Sequence, residues 1–308
     1  MIAARRDGRL AGLLPVVWRG GMLASPTNWH SVIHGALAVS PDVEAAIFRE
    51  MAVLGARRVD IAALGPQPAL ALSGILSASG YRTSVRVIQR SPYLPLSGTW
   101  ESYLAGRSRN LRRTLRRCRN RLADLGQVSV TVSTGEQDLD EQLTEGFAIE
   151  ASGWKHSRGT AITSRPETLQ FYRELTRYAA SAGILRLVFL RLDQRAVAFS
   201  LSLESGGRHY DIKVGHDASL NRAGPGIVLM AAMLERAFSI GLESYEFLGD
   251  AEPYKLRWTD LWHERIRLQA FAPTVAGCLD RAVQVWGRTL VMRLRGRSLA
   301  GVPPGAAL

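Results

Sequence analysis

Hydrophobic residues follow two spacings along the chain, which predict an alternation of strands and helices. Residues 5–17, RRDGRLAGLLPVV, and residues 191–203, RLDQRAVAFSLSL, both place apolar residues in alternation around a short turn that begins with Asp. This pattern is typical of a β-hairpin. Residues 45–61 and 231–247 instead have apolar residues three and four apart, followed by a glycine and a short apolar run. That pattern predicts a helix, a glycine stop and a strand.

The two hairpins and the two helix-strand segments are each separated by 186 residues, since residue 5 corresponds to residue 191 and Gly55 to Gly241. Two matched features at one offset predict an internal repeat. The alternative is that any chain of strands and helices offers such segments. The first copy begins directly at its hairpin, which indicates either a start upstream of residue 1 or a shortened copy that serves as a scaffold.

A basic segment, residues 100–126, lies between the two copies. Its apolar residues recur at helical spacing, and eight arginines occupy its other faces between residues 104 and 122. The segment predicts a connecting helix, with Arg109 and Arg112 as candidate substrate contacts. Like charges on one helix repel each other unless an anion or an acidic surface is near. The helix therefore indicates either contact with an anion such as a nucleic acid or an ordinary solvated face.

Composition narrows the class of protein. A content of 46% hydrophobic and 21% charged residues is typical of a folded globular chain and excludes a mainly disordered one. The net charge of +12 favours a polyanionic partner. Nearly all basic residues are arginine, and the lysines are Lys155, Lys213 and Lys255. We treat these three as candidate site residues because ammonium and guanidinium groups are not interchangeable at a tight site.

Several other features exclude whole classes of site. Two cysteines cannot build a disulfide framework or a cysteine zinc site, and they favour a reducing, cytoplasmic location. The longest apolar run, residues 227–234, is shorter than the roughly 20 residues of a membrane span. His30 and His34 lack further ligands, so no metal is expected. Residues 275–297 have amphipathic helical spacing, which predicts packing on the protein or contact with a membrane surface.

The segment 221–226, NRAGPG, lies between a predicted strand and a predicted helix. Its glycines allow backbone N–H groups to converge at a helix N-terminus, an arrangement that binds phosphate. Such a stretch is also a common turn. The candidate donor-binding residues are Asn221, Arg222, Gly224, Gly226 and Ile227.

The order of hairpin, third strand, N-x-x-G-x-G loop, helix and strand resembles the core of the GNAT acyltransferases, whose corresponding loop holds the pyrophosphate of acyl-CoA. The segments EASGWKHSRGTA, HYDIKVGHDASLNRAGPG and YEFLGDAEPYKLRW resemble more closely the branch that contains the CelD-type cellulose-biosynthesis proteins and the FemAB-type aminoacyltransferases. This loop differs from the family pattern at Asn221, where Gln or Arg is usual, and at Pro225, which has no N–H.

The resemblance implies an α/β (α+β) fold of tandem GNAT-like lobes, with mixed, mostly antiparallel sheets flanked by helices. The expected lobes are residues 1–99 and 127–273. The basic helix, residues 100–126, would connect them, and the amphipathic tail, residues 274–308, would follow.

The resemblance also implies roles for individual residues. Tyr254 lies where GNAT enzymes keep a tyrosine that protonates the leaving group, although a packing role is the alternative. Glu150, Trp154 and Lys155 lie where the resemblance implies contacts with the acceptor. Among these, Glu150 is the candidate that accepts the proton of an attacking amine.

Other charged residues are candidates from their local pattern. Asp211 and Lys213 alternate along a predicted strand and are therefore expected on one face. There they would form a pair that lines the groove, with Asp211 in a catalytic role, or a structural salt bridge. Asp250, Glu252 and Lys255 surround Tyr254 as candidate substrate contacts, and the two acids are alternatively capping or solvent-facing residues.

The leading hypothesis is an acyltransferase that moves an acyl group from acyl-CoA to an amine, hydroxyl or sugar acceptor in a groove between the lobes. Direct attack requires no enzyme nucleophile, and the chain has no G-x-S-x-G motif. Two alternatives stay open. One is an aminoacyltransferase that uses aminoacyl-tRNA, which the basic helix favours, and the other is a non-catalytic accessory protein of polysaccharide biosynthesis.

Overall fold

The computed structural model describes residues 1–28, 30–152 and 162–284. The chain divides into two compact units. Unit 1 contains residues 1–90 and the chain from residue 263 onward, and unit 2 contains residues 91–262.

Unit 1 contains two sheets and two helices. Three strands form a small sheet in the order β1-β2-β5, and the second sheet includes the order β3-β4-β6-β13. The elements of this unit are β1 Ile2–Arg6, β2 Arg9–Leu14, β3 Val17–Arg19, β4 Met22–Ala24, β5 Leu37–Ala38, α1 Pro41–Val53, β6 Arg58–Leu64, α2 Pro66–Ala78, the first part of β7 Arg82–Pro95, and most of β13 Trp262–Phe271. Residues 275–284 are helical.

Unit 2 consists of one sheet with helices on both faces. Its strand order is β7-β12-β11-β10-β9-β8. After the end of β7 come α3 Trp100–Gly106, α4 Arg109–Ala123, β8 Val128–Ser133, α5 Leu139–Ala151, α6 Pro166–Ser181, β9 Leu185–Leu192, β10 Arg195–Ser205, β11 Arg208–His216, α7 Pro225–Ser239 and β12 Ser244–Glu246, with short 3-10 turns at Ile162–Ser164 and Ala218–Leu220.

The features matched at the 186-residue offset have the same local structure in both units. The turns of the β1-β2 and β9-β10 hairpins each contain two residues with positive φ, a geometry typical of a type I′ turn. Gly55 and Gly241 follow helices α1 and α7 with φ of 66° and 70°. The strand after each helix pairs in parallel, β6 with β4 and β12 with β11. Most other pairings are antiparallel, so the predicted α/β fold with mixed, mostly antiparallel sheets is confirmed.

The basic segment forms two helices where the sequence predicts one. Helix α3 ends at Gly106, and Ser108 begins α4 by accepting a hydrogen bond at its side chain from the amide of Leu111 at 3.2 Å. Such a cap satisfies one of the free amides of a first turn. As the helical spacing predicts, α4 buries Leu111, Leu115, Cys118 and Leu122. These side chains pack with α7 in one core of unit 2, so α4 is an integral part of this unit.

A second core lies where α5 and α6 pack with the strands of unit 2. Phe147 and Tyr172 contribute from the helices and Phe199 from β10, with ring centroids 6.4 Å apart for Phe147 and Phe199. The helices α5 and α6 thus cover one face of the strands β9 and β10. Across the ranges that the structure describes, no helix has both the length and the apolar character that a membrane crossing requires.

Candidate functional site

A cavity of about 780 Å³ lies entirely within unit 2. Its walls come from α4, the end of α5, the end of β11, the loop before α7, the first turns of α7, and the side chains of Glu252, Tyr254, Arg257 and Trp258. The candidates from the sequence that line it are Asn221, Arg222, Gly224, Gly226, Ile227, Glu150, Glu252 and Tyr254. The structure therefore brings the predicted phosphate loop, the predicted proton donor and the predicted base into one space.

The loop before α7 uses most of its own backbone donors. The amides of Ala223 and Gly224 both donate to the carbonyl of Leu220, at 2.9 and 3.1 Å, and Pro225 has no amide hydrogen. Within the described residues, the amides of Gly226 and Ile227 have no backbone acceptor. Two free donors therefore lie at the positive end of α7, in the wall of the cavity.

Gly224 is required where it stands. Its φ is +69°, and a Cβ there would lie 2.6 Å from the Sγ of Cys118. Only a glycine allows the loop to approach α4 this closely. A further contact fixes the same junction, because Arg121 donates from Nη1 to the carbonyl of Arg222 at 2.7 Å.

The basic helix contributes different arginines from the predicted ones. Arg117 and Arg121 line the cavity, whereas Arg109 and Arg112 do not. The buried stripe of α4 passes through Cys118 and Leu122, so the residues next to this stripe face the loop. The helical spacing would have selected these two arginines if the packing partner of α4 had been known.

His216, at the end of β11, is a cavity residue that the sequence analysis missed. Its Nε2 lies 2.7 Å from the Oδ1 of Asn221, and its Nδ1 lies 3.1 Å from the position of a Cβ on Gly226. The imidazole is therefore held beside the first turn of α7. The side chain of Asn221, where the resemblance leads us to expect Gln or Arg, is used to orient this ring.

Glu150 lines the cavity from the end of α5. It is 2% exposed, and its Oε2 accepts a hydrogen bond from the amide of Ile162 at 3.0 Å. Helix α5 approaches β11 closely here, since a Cβ on Gly215 would lie 2.6 Å from the Cα of Glu150. A carboxylate is thus fixed at the cavity wall by packing.

Tyr254 and Glu252 form a third part of the wall. Burial of the tyrosine hydroxyl, and then the adjacent Glu252 carboxylate, raise the pKa of Tyr254 above its ordinary value. The hydroxyl therefore keeps its proton at neutral pH and can donate it. Arg257 and the apolar side chains of Met233 and Trp258 complete this region.

The expectation that Asp211 and Lys213 share one face of a strand is wrong. The register of β10 and β11 shifts so that Leu201 pairs with Lys213 and Ser202 with Asp211, which makes Ile212 an extra residue in β11. This bulge breaks the alternation of side chains. The two candidates consequently lie on opposite faces of the sheet.

Neither member of this pair lines the cavity. Asp211 is 6% exposed and accepts a hydrogen bond from Ser200 at 2.8 Å, and burial raises the pKa of its carboxyl. The ammonium of Lys213 lies 5.5 Å from the ring centre of Tyr172.

Three more candidates have other placements. Asp250 and Lys255 do not line the cavity, and the ammonium of Lys255 is bonded to the turn that precedes it. Lys255 is therefore wrong as a direct substrate contact, because its donors are already used within the protein. Trp154 and Lys155 lie outside the described residues. Among the residues that the structure places, no cluster of three or more His, Cys, Asp or Glu side chains could hold a metal ion.

Comparisons with known proteins agree with this geometry. Residues 109–256 match the family model described as an acetyltransferase (GNAT) domain. A comparison with curated proteins found no matching sequence.

Solved structures with the same fold are distant in sequence. The C-terminal DUF2156 domain of a protein described as a lysylphosphatidylglycerol synthetase, from Agrobacterium fabrum, is 14% identical, with a TM-score of 0.57 over 92% of this chain and 87% of that one. FemX is 12% identical, with a TM-score of 0.56 over 86% of each chain. A conserved protein of unknown function from Bacteroides thetaiotaomicron is 15% identical, with a TM-score of 0.55 over 83% and 81%.

Proposed function

We propose that the chain, which belongs to the GNAT superfamily through residues 109–256, moves an acyl group from acyl-CoA to an amine, hydroxyl or sugar acceptor by direct attack. One observation carries this proposal. The two free amides of Gly226 and Ile227 open on the same cavity as the hydroxyl of Tyr254 and the carboxylate of Glu150. A phosphate-bearing carrier bound at the amides would share this cavity with the proposed acid and base.

The chemistry needs only groups that this cavity contains. The acceptor nitrogen or oxygen attacks the thioester carbonyl, and its proton passes to Glu150 as the new bond forms. The carbon–sulfur bond then breaks, and Tyr254 gives its proton to the departing sulfur. Solvent afterwards returns a proton to Tyr254 and removes one from Glu150. Holding both reactants in this geometry supplies much of the rate enhancement.

Two native cysteines provide a direct test of donor binding. Cys118 is buried in the cavity wall and Cys278 is exposed. We expect acetyl-CoA or a longer acyl-CoA, at ten times its dissociation constant, to slow alkylation of Cys118 by iodoacetamide about tenfold, because only the unoccupied protein reacts. Mass spectrometry of the two peptides measures both rates, and Cys278 is the internal control.

A lack of protection at Cys118 together with no heat in a calorimetric titration would remove acyl-CoA as the donor. Equal protection of both cysteines would point to a general conformational effect and would also count against binding in the cavity.

A second candidate donor is aminoacyl-tRNA, which the outer face of α4 favours. Arg109, Arg112, Arg113 and Arg116 have no acidic partner among the described residues, whereas Arg119 pairs with Glu235 at 3.1 Å. These four arginines lie on the same helix as Arg117, which lines the cavity. A row of unpaired arginines fits a partner with several phosphates.

This alternative predicts steep salt dependence. With four or five phosphate contacts, binding of a tRNA acceptor-stem RNA should weaken about 100-fold between 50 and 200 mM salt. The double variant Arg112→Gln/Arg116→Gln should reduce the dependence of binding affinity on salt by the amount that corresponds to about two phosphate contacts. Arg177→Gln, which removes an arginine already paired with Asp140, is the matched control. Binding that ignores salt, or that the double variant leaves unchanged, excludes this donor.

A further inference from the structure

The ammonium group of Lys255 is buried against the turn formed by residues 248–252. Lys255 is 5% exposed, and its Nζ donates to the carbonyls of Leu248 at 2.8 Å and Asp250 at 3.2 Å. The same nitrogen lies 2.9 Å from the Oε2 of Glu252. Three acceptors from one short turn therefore surround one cation.

The backbone of this turn has the conformation that such a cation requires. Leu248 and Gly249 have φ of 52° and 60°, and a leucine adopts positive φ only where the surroundings impose it. Carbonyls that converge in this way repel each other unless a cation lies between them. Lys255 supplies that cation and makes the turn stable.

An ammonium group has three N–H donors. In Lys255 two of these donors are bonded to carbonyls of the turn, and the charge is paired with the carboxylate of Glu252, so the group is engaged within the protein. The effect of Lys255 on a reaction must therefore pass through the residues that it holds. Two of these are at the cavity, since Glu252 is its ion-pair partner and the ring of Tyr254 lies 5.5 Å from its Nζ.

We propose that Lys255 is a positioning residue, whose buried ammonium fixes the 248–252 turn and thereby sets Glu252 and Tyr254 at the cavity. This inference rests on the proposed function for its catalytic consequence. Arginine cannot replace this group, because the Nζ lies 3.1 Å from the position of a Cβ on Gly249 and a planar guanidinium does not match three acceptors around one atom.

The test compares Lys255→Met and Lys255→Arg with the wild type. We expect kcat to fall about 100-fold in both, as a small misplacement of reacting groups does, while affinity for acetyl-CoA stays within about threefold because the amides of α7 are untouched. Hydrogen exchange of residues 248–256 should become faster in both variants. Lys213→Met removes the other described lysine of unit 2 and should leave this exchange unchanged.

Wild-type kcat in Lys255→Arg would show that charge alone suffices and would overturn the proposal, as would unchanged exchange in Lys255→Met. If Lys255→Met does not fold, Glu252→Gln, which keeps the shape and removes the ion pair, should show the faster exchange instead. A wild-type protein that binds no acetyl-CoA contradicts the proposed function, and the exchange measurement still decides whether Lys255 holds the turn.

Discussion

Replacing Gly226 by aspartate is expected to abolish donor binding while leaving the fold intact. The new carboxylate would lie beside the free amides of α7 and beside the Nδ1 of His216, where the proposed phosphate sits. Two hydrogen bonds to a charged group, at about 1.5–3 kcal/mol each, correspond to a loss of at least 100-fold in affinity. An acid in the first turn is compatible with the helix dipole, so α7 should persist. Calorimetric titration with acetyl-CoA measures the effect.

The matched control is Gly74→Asp. A Cβ on Gly74, in α2, would have no heavy atom within 4 Å. The Gly74→Asp variant introduces the same charge into a helix of unit 1 and should leave the dissociation constant for acetyl-CoA unchanged. If Gly226→Asp binds acetyl-CoA as tightly as this control does, the loop before α7 is not the carrier site.

Removing the hydroxyl of Tyr254 is expected to slow the chemical step and to spare binding. Loss of a general acid costs about 100-fold or more in kcat, whereas the carrier is held by amides that Tyr254→Phe does not alter. Since the pKa of Tyr254 is raised, the wild-type rate should show no alkaline decline from this residue across the usual assay range. Steady-state kinetics of the two proteins with the same donor provide the measurement.

Tyr178→Phe is the control for this substitution. Tyr178 is 68% exposed on α6 and takes no part in the cavity. A Tyr254→Phe enzyme whose kcat matches that of the control would mean that water, not Tyr254, protonates the leaving group.

The loop before α7 could be located from sequence because its signal is local. Glycine and proline at fixed spacing determine which backbone amides a loop exposes, and Gly224 with φ of +69° is such a residue. The buried stripe of α4 was predictable for the same reason, as periodicity reports which side of a helix is covered. Patterns of this kind need no knowledge of distant neighbours.

Other parts of the site depend on contacts that a linear pattern does not contain. His216 and Arg117 reach the cavity because β11 and α4 both end or pack beside the first turn of α7. The opposite orientation of Asp211 and Lys213 comes from a single extra residue in β11, which no alternation of polar and apolar residues reveals. Lys255 was selected for its rarity, but its burial within a turn of three acceptors could be seen only in three dimensions.

The two segments matched at the 186-residue offset differ at the turn before their helix. By the 186-residue offset, Gly224 corresponds to Ala38, and Gly226 corresponds to Ser40, which precedes α1 in an extended conformation with φ of −162°. The first copy therefore enters its helix without the left-handed glycine that exposes the amides of α7. If the loop before α7 holds the proposed carrier, the turn before α1 offers no second site of the same kind, and titration should give one carrier per chain.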